Sequence, residues 1–163
     1  MPTDLAEAER RMRPGAWDTA GFLHRHSALE AVLTSDAQTL RALGVTPEAV
    51  GAYLGELLEG ASASDLWRPV RVGDFDVELH RQRGMITCPW APEEFESCTA
   101  GGTRPTANRF TIRHVSSGWR LEGFELSVHL ICEHGFFGGP GTRFRVEPVA
   151  TADVLWLTRN EGS

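Results

Sequence analysis

Val70-Arg71-Val72-Gly73-Asp74-Phe75-Asp76-Val77-Glu78-Leu79-His80 is the stretch on which the fold turns. Apolar and polar residues alternate on both sides of Gly73-Asp74, the pattern of a β-hairpin closed by a two-residue turn. N-terminal to it the period is helical. Leu29, Val32, Leu33, Leu40 and Leu43 lay an apolar stripe along one helix, with Ser27 and Glu30 as a capping box and Gly44 as the stop. Thr46 then caps a second helix, Pro47 takes its first position, and Val50, Tyr53, Leu54, Leu57 and Leu58 form its stripe up to Gly60. Ala61-Ser62-Ala63-Ser64 is a small-residue hinge between the helical and the alternating halves.

C-terminal to the hairpin the alternation continues. A short strand is expected at 85–88 and another at 108–115, through Phe110 and Ile112. Ser116-Ser117-Gly118 turns the chain into a long strand over 119–131, whose phase shifts at Gly123 as at a bulge. Residues 142–147 read as the last strand, with Phe144 and Val146 inward and Arg143 and Arg145 outward, and 152–157 as a closing helix. The fold class is therefore α+β: an N-terminal helical hairpin packed on a mostly antiparallel β-sheet, with a short C-terminal helix. Residues 1–163 read as a single domain: a loose or partly helical arm (1–16), the hairpin (27–60), and the sheet with a candidate site (66–157).

Composition narrows the chemistry. The chain has 163 residues, 41% hydrophobic and 23% charged, which suits an ordinary globular domain. All 16 basic residues are arginine. Without lysine there is no Schiff-base chemistry from a side chain and no Walker-type phosphate loop. The net charge of −6 makes nucleic acid an unexpected partner, and the glutamates of the second helix, Glu48, Glu56 and Glu59, would repel phosphate. No apolar run approaches the ~18 residues of a membrane span, and the start of the chain lacks the pattern of a secretory signal. Three cysteines without disulfide-scaffold density fit reduced thiols in a cytoplasmic protein.

All three cysteines and two of the six histidines fall in two segments, 88–98 and 129–141. Thiolate and imidazole suit zinc, and Cys88, Cys98, His129 and His134 are the expected ligands, with Cys132 in reserve. His129 and His134 have zinc-like spacing, whereas Cys88 and Cys98 lie too far apart in sequence for a knuckle. On a regular strand the two histidines would point to opposite faces, so convergence needs the strand to end near Ile131. In a helix, Glu125, His129 and Cys132 would instead share one face. Four protein ligands would make the ion structural. Three would leave a place for water, with Glu133 or Glu125 as the catalytic proton carrier.

The glycine-rich stretch from Gly135 to Gly141 has no strand-to-helix switch and is not a dinucleotide fingerprint. It reads as a turn or as a lip over a pocket, where Phe136 and Phe137 cover a small anionic ligand held by Arg143 and Arg145. Trp90 is the one tryptophan beside the candidate site. Two alternatives stand next to the zinc reading. One is a metal-free enzyme with Cys88 as nucleophile and a histidine as base. The other is a non-catalytic binding module using the helical hairpin for a protein partner.

Overall fold

The computed structural model describes residues 5–16, 21–62, 68–82, 86, 88–90 and 108–161. Its elements are α1 (Leu5–Met12), α2 (Leu29–Leu43), α3 (Pro47–Ser62), β1 (Val70–Val72), β2 (Phe75–His80), β3 (Arg109–His114), β4 (Arg120–Phe124), α4 (Glu125–His134) and α5 (Pro148–Glu161). The strands form an antiparallel meander in the order β1-β2-β3-β4, and the fold is α+β. The hairpin turns at Gly73-Asp74, with Val72 opposite Phe75. Phe75, Val77, Leu79, Phe110, Ile112 and Leu121 face inward against Val50, Leu54, Leu57 and Leu58 of α3. The outer sheet face is polar, and there Asp76 accepts from Arg71 and Arg113 at 2.9 and 3.0 Å. Those two guanidinium groups hold the Asp76 carboxyl below its ordinary range.

The second helix starts as expected, with the Thr46 hydroxyl accepting from the Ala49 N–H at 3.1 Å. Helix α2 does not. Its N-cap is Ala28, without a side-chain cap. The Glu9 carboxylate of α1 takes the Leu29 N–H instead, at 2.9 Å and from 20 residues away. The arm is thus a helix with buried Ala8 and Met12, and Arg13 donates from its end to the carbonyls of His24 and Ser27.

Three expectations change in the C-terminal half. The long strand over 119–131 stops at Phe124, and the chain enters α4 on the next residue. Gly123 is not a bulge: it pairs in register with Phe110. A Cβ there would stand 2.9 Å from the Phe110 ring, so the glycine makes room for that ring. Residues 142–147 are turns rather than a strand. Their amides bond within the segment and to the preceding loop, Thr142 N–H to the Gly139 carbonyl, Arg145 N–H to that of Thr142 and Val146 N–H to that of Phe137. Phe144 and Val146 are buried as anticipated. Ile86 and Cys88, placed in a strand from sequence, lie outside any strand. His114 is buried at the end of β3, where its Nδ1 meets the Ser117 hydroxyl at 2.7 Å. The closing helix α5 is longer than the 152–157 expected.

Helix α4 divides two apolar clusters. Val128 and Ile131 belong to the one between sheet, α3 and α5. Leu126 and Leu130 belong to the other, with Met12, Phe22, Leu29, Cys88, Trp90, Phe136 and Phe144. That second cluster is closed by distant contacts: the Gly139 N–H donates to the Phe22 carbonyl at 2.8 Å, and Phe22 stacks on Phe144 at 4.1 Å. Arg145 grips Asp36 of α2 through two bonds of 2.6 and 3.0 Å, both side chains largely buried.

Helices α3 and α4 approach closely at Gly51, where a Cβ would stand 2.6 Å from Cys132 Cβ and 2.8 Å from its backbone. Gly51→Ala gains up to about 1 kcal/mol of helix propensity. The clash is with backbone that no rotamer change relieves, at a cost of about 1–3 kcal/mol. The expected net result is a lower urea midpoint at unchanged slope.

Candidate metal centre

The site is built from the segment Cys88-Pro89-Trp90 and from α4. Proline disfavours helix for the residue before it, and Cys88 lies outside any helix or strand. Arg11 of α1 donates to the Pro89 carbonyl at 2.9 Å, holding the segment against the N-terminal helix. His129 lies inside α4 and His134 is its last residue, before Gly135 closes the helix in the left-handed conformation (φ 64°). The sulfur of Cys88 and one ring nitrogen from each histidine all lie within 4.8 Å of one another. Cys88 Sγ is 3.3 Å from His134 Nε2, a pair 46 residues apart in the chain. Tetrahedral zinc with ordinary bond lengths spaces its donors by about 3.3–3.7 Å. The Cys88–His134 pair already has that spacing.

Cys88 and His129 are fully buried, and His134 is half-buried. The two imidazoles meet edge to face, centroids 5.3 Å apart. Trp90 lies flat on His134, with centroids 4.3 Å apart and planes within 4°, and Phe136 packs against the tryptophan in turn at 5.6 Å. Burial, with the neighbouring His129, pushes the His134 pKa down to about 4. The imidazole is therefore neutral near pH 7, the form that offers a lone pair.

The other residues singled out from sequence take different places. Cys132 packs on Gly51 with its thiol toward the Glu48 carbonyl at 3.7 Å, and burial, then the charges of Glu133 and Glu48, push its pKa up. It does not belong to the donor cluster. Cys98 lies outside the described residues. Glu125 stands one helical turn before His129 and accepts from Asn108 at 3.3 Å. Burial pushes its pKa up. Glu133 is exposed. Phe136 and Phe137 are wholly buried core residues rather than a pocket lip. Arg145 is not an outward arginine, since its guanidinium is committed to Asp36 and to the Gly138 carbonyl. Arg143 is exposed and lies over Phe124 and Phe144, at 5.4 and 4.9 Å, while Arg109 lies over Phe124 at 5.1 Å. Sequence reading missed Trp90 as a partner of His134; its place two residues from Cys88 was the available signal.

A histidine held below its ordinary pKa binds fewer protons in the folded chain than in the unfolded one, so acid favours unfolding. For His134 this loss of stability begins as the pH falls below about 6.5 and is complete near pH 4. The metal-free wild type is expected to lose stability between pH 6.5 and 5 more steeply than His134→Gln, measured as urea midpoints. Equal slopes would contradict the burial of a neutral imidazole.

Among the described residues no helix is long and apolar enough to cross a membrane. No protein-family model, curated protein sequence or solved structure matches the chain, so the functional reading stands on the geometry of Cys88, His129 and His134.

Proposed function

We propose that the chain is a metalloprotein holding one zinc ion through Cys88, His129 and His134. The observation that carries this is the convergence of a thiol and two imidazoles, donors within 4.8 Å, in the interior of the fold. One sulfur and two nitrogens are a donor set that zinc prefers and that magnesium or calcium does not. A reducing compartment such as the cytoplasm would keep the Cys88 sulfur available to the ion. Three protein donors leave one position for water, and a zinc-bound water is a nucleophile near neutral pH. Glu125, desolvated and one turn from His129, is the proton carrier this reading assigns, and Arg143 with Arg109 the pair that would meet a small anionic substrate. A fourth ligand from Cys98 would make the ion structural instead.

The 3.3 Å contact between Cys88 Sγ and His134 Nε2 also suits a cysteine–histidine nucleophile. Burial works against that version, since an imidazole with a pKa of about 4 retains a thiol's proton poorly.

Metal analysis by mass spectrometry on untagged, reduced protein tests the proposal. One equivalent of zinc is expected in wild type and in Cys132→Ser. It should be lost in Cys88→Ser and His129→Ala, with affinity lowered at least ~10-fold in His134→Ala. Absence of metal from wild type refolded with zinc would overturn it. Cys98→Ser separates the two coordination states, an open site keeping its zinc and a closed one losing it. Rapid alkylation of metal-free Cys88 by iodoacetamide near pH 7 would favour the nucleophile.

A further inference from the structure

We infer that Trp90 is the positioning residue of this centre: its indole is the platform that aims His134 at the ion and carries part of the charge the imidazole acquires on coordination. The inference rests on the zinc reading and adds to it a residue that is not itself a ligand. His134 is the donor most in need of such support. It stands on the final residue of α4, where Gly135 already leaves the helix, and it is the least buried of the three. Five positions separate it from His129, which on an ideal helix turns the two side chains about 140° apart. Helix geometry alone therefore does not bring their rings together.

What does so is visible on the faces of the His134 ring. One is covered by Trp90, parallel within 4° and at 4.3 Å. Its Nε2 lies 3.3 Å from Cys88 Sγ, and His129 meets the ring at 77°. Trp90 is itself fixed, being 8% exposed and braced edge-on by Phe136, while the carbonyl of its neighbour Pro89 is held by Arg11. A three-residue segment thus supplies both a ligand, Cys88, and the surface that orients another. An imidazole bound to a dication carries partial positive charge, which the negative face of an indole stabilises. Groups that orient metal ligands from outside the coordination shell alter affinity by about 10–100-fold when removed.

The test titrates wild type, Trp90→Phe and Trp90→Ala with Zn2+ against a chromophoric chelator, and with Co2+ by absorption. Trp90→Ala is expected to bind zinc about 10-fold more weakly. Its cobalt d–d bands should shift, because His134 is no longer aimed, which a mere loss of stability would not produce. Trp90→Phe keeps a ring face and should restore both properties to near wild type. Equal affinity and identical bands in all three proteins would overturn the role of Trp90 while leaving the metal site standing. Failure of wild type to bind either ion would overturn the zinc reading and this inference together. If Trp90→Ala does not fold, tryptophan emission decides: Co2+ should quench wild type clearly more than Trp90→Phe, and equal quenching would place Trp90 away from the ion.

Discussion

Helix α4 begins on the residue after the last strand, and backbone contacts at both ends set its position. The Glu125 N–H donates to the Asn108 carbonyl at 2.9 Å, tying its first turn to the start of β3. Toward its other end the Cys132 backbone rests where Gly51 has no side chain. Any displacement of α4 must break the first contact or open the second. Both histidines of the centre ride on this helix, so their placement is as firm as the packing of α3 against it. The cysteine arrives on a separate segment, whose Pro89 carbonyl is held by Arg11. The centre thus joins two independently anchored pieces, and an ion bound there would link them directly.

Much of this was legible in the sequence, and the exceptions share a cause. Helices α2 and α3 and the β1–β2 hairpin carry local punctuation, Gly44, Thr46-Pro47 and Gly73-Asp74, and their apolar faces have clear periods because their other faces meet water. Helix α4 lacks that contrast. Every residue from Leu126 to Ile131 is buried, Ser127 and His129 included. A helix enclosed on all sides has no stripe, and Phe124, Leu126, Val128 and Leu130 then alternate like a strand. Residues 142–147 mislead similarly. Phe144 and Val146 do turn inward, but the amides bond to turns and Arg145 is drawn to Asp36, 109 residues earlier. The cap of α2 is also unreadable locally, since its acceptor, Glu9, belongs to another helix.

The donor set was readable as chemistry before it was readable as geometry. Cys88, His129 and His134 were marked by residue type and by clustering. A strand reading made the convergence of the histidines look conditional, whereas helix α4 carries both and the packing of Trp90 on His134 at its end accompanies their meeting. Cys132, equally suitable by type, faces α3. Residue type supplied the candidates, and tertiary packing alone separates the Cys88, His129 and His134 group from Cys132.

The contact of Gly139 with Phe22 bears on how the chain acquires its shape during synthesis. The carbonyl of Phe22 is capped by the Gly139 amide, its ring by Phe144, and Asp36 of α2 is neutralised by Arg145. The partners of the N-terminal helices therefore belong to residues made about a hundred positions later, Arg145 following Asp36 by 109. At about 5–20 residues per second, α1 and α2 wait on the order of ten seconds for them. Until then they present the apolar side chains of Met12, Phe22, Leu23 and Leu29 without cover. The apolar surface around α1 and α2 is thus made well before the residues that cover it, and it stays open to water or to other chains in that interval.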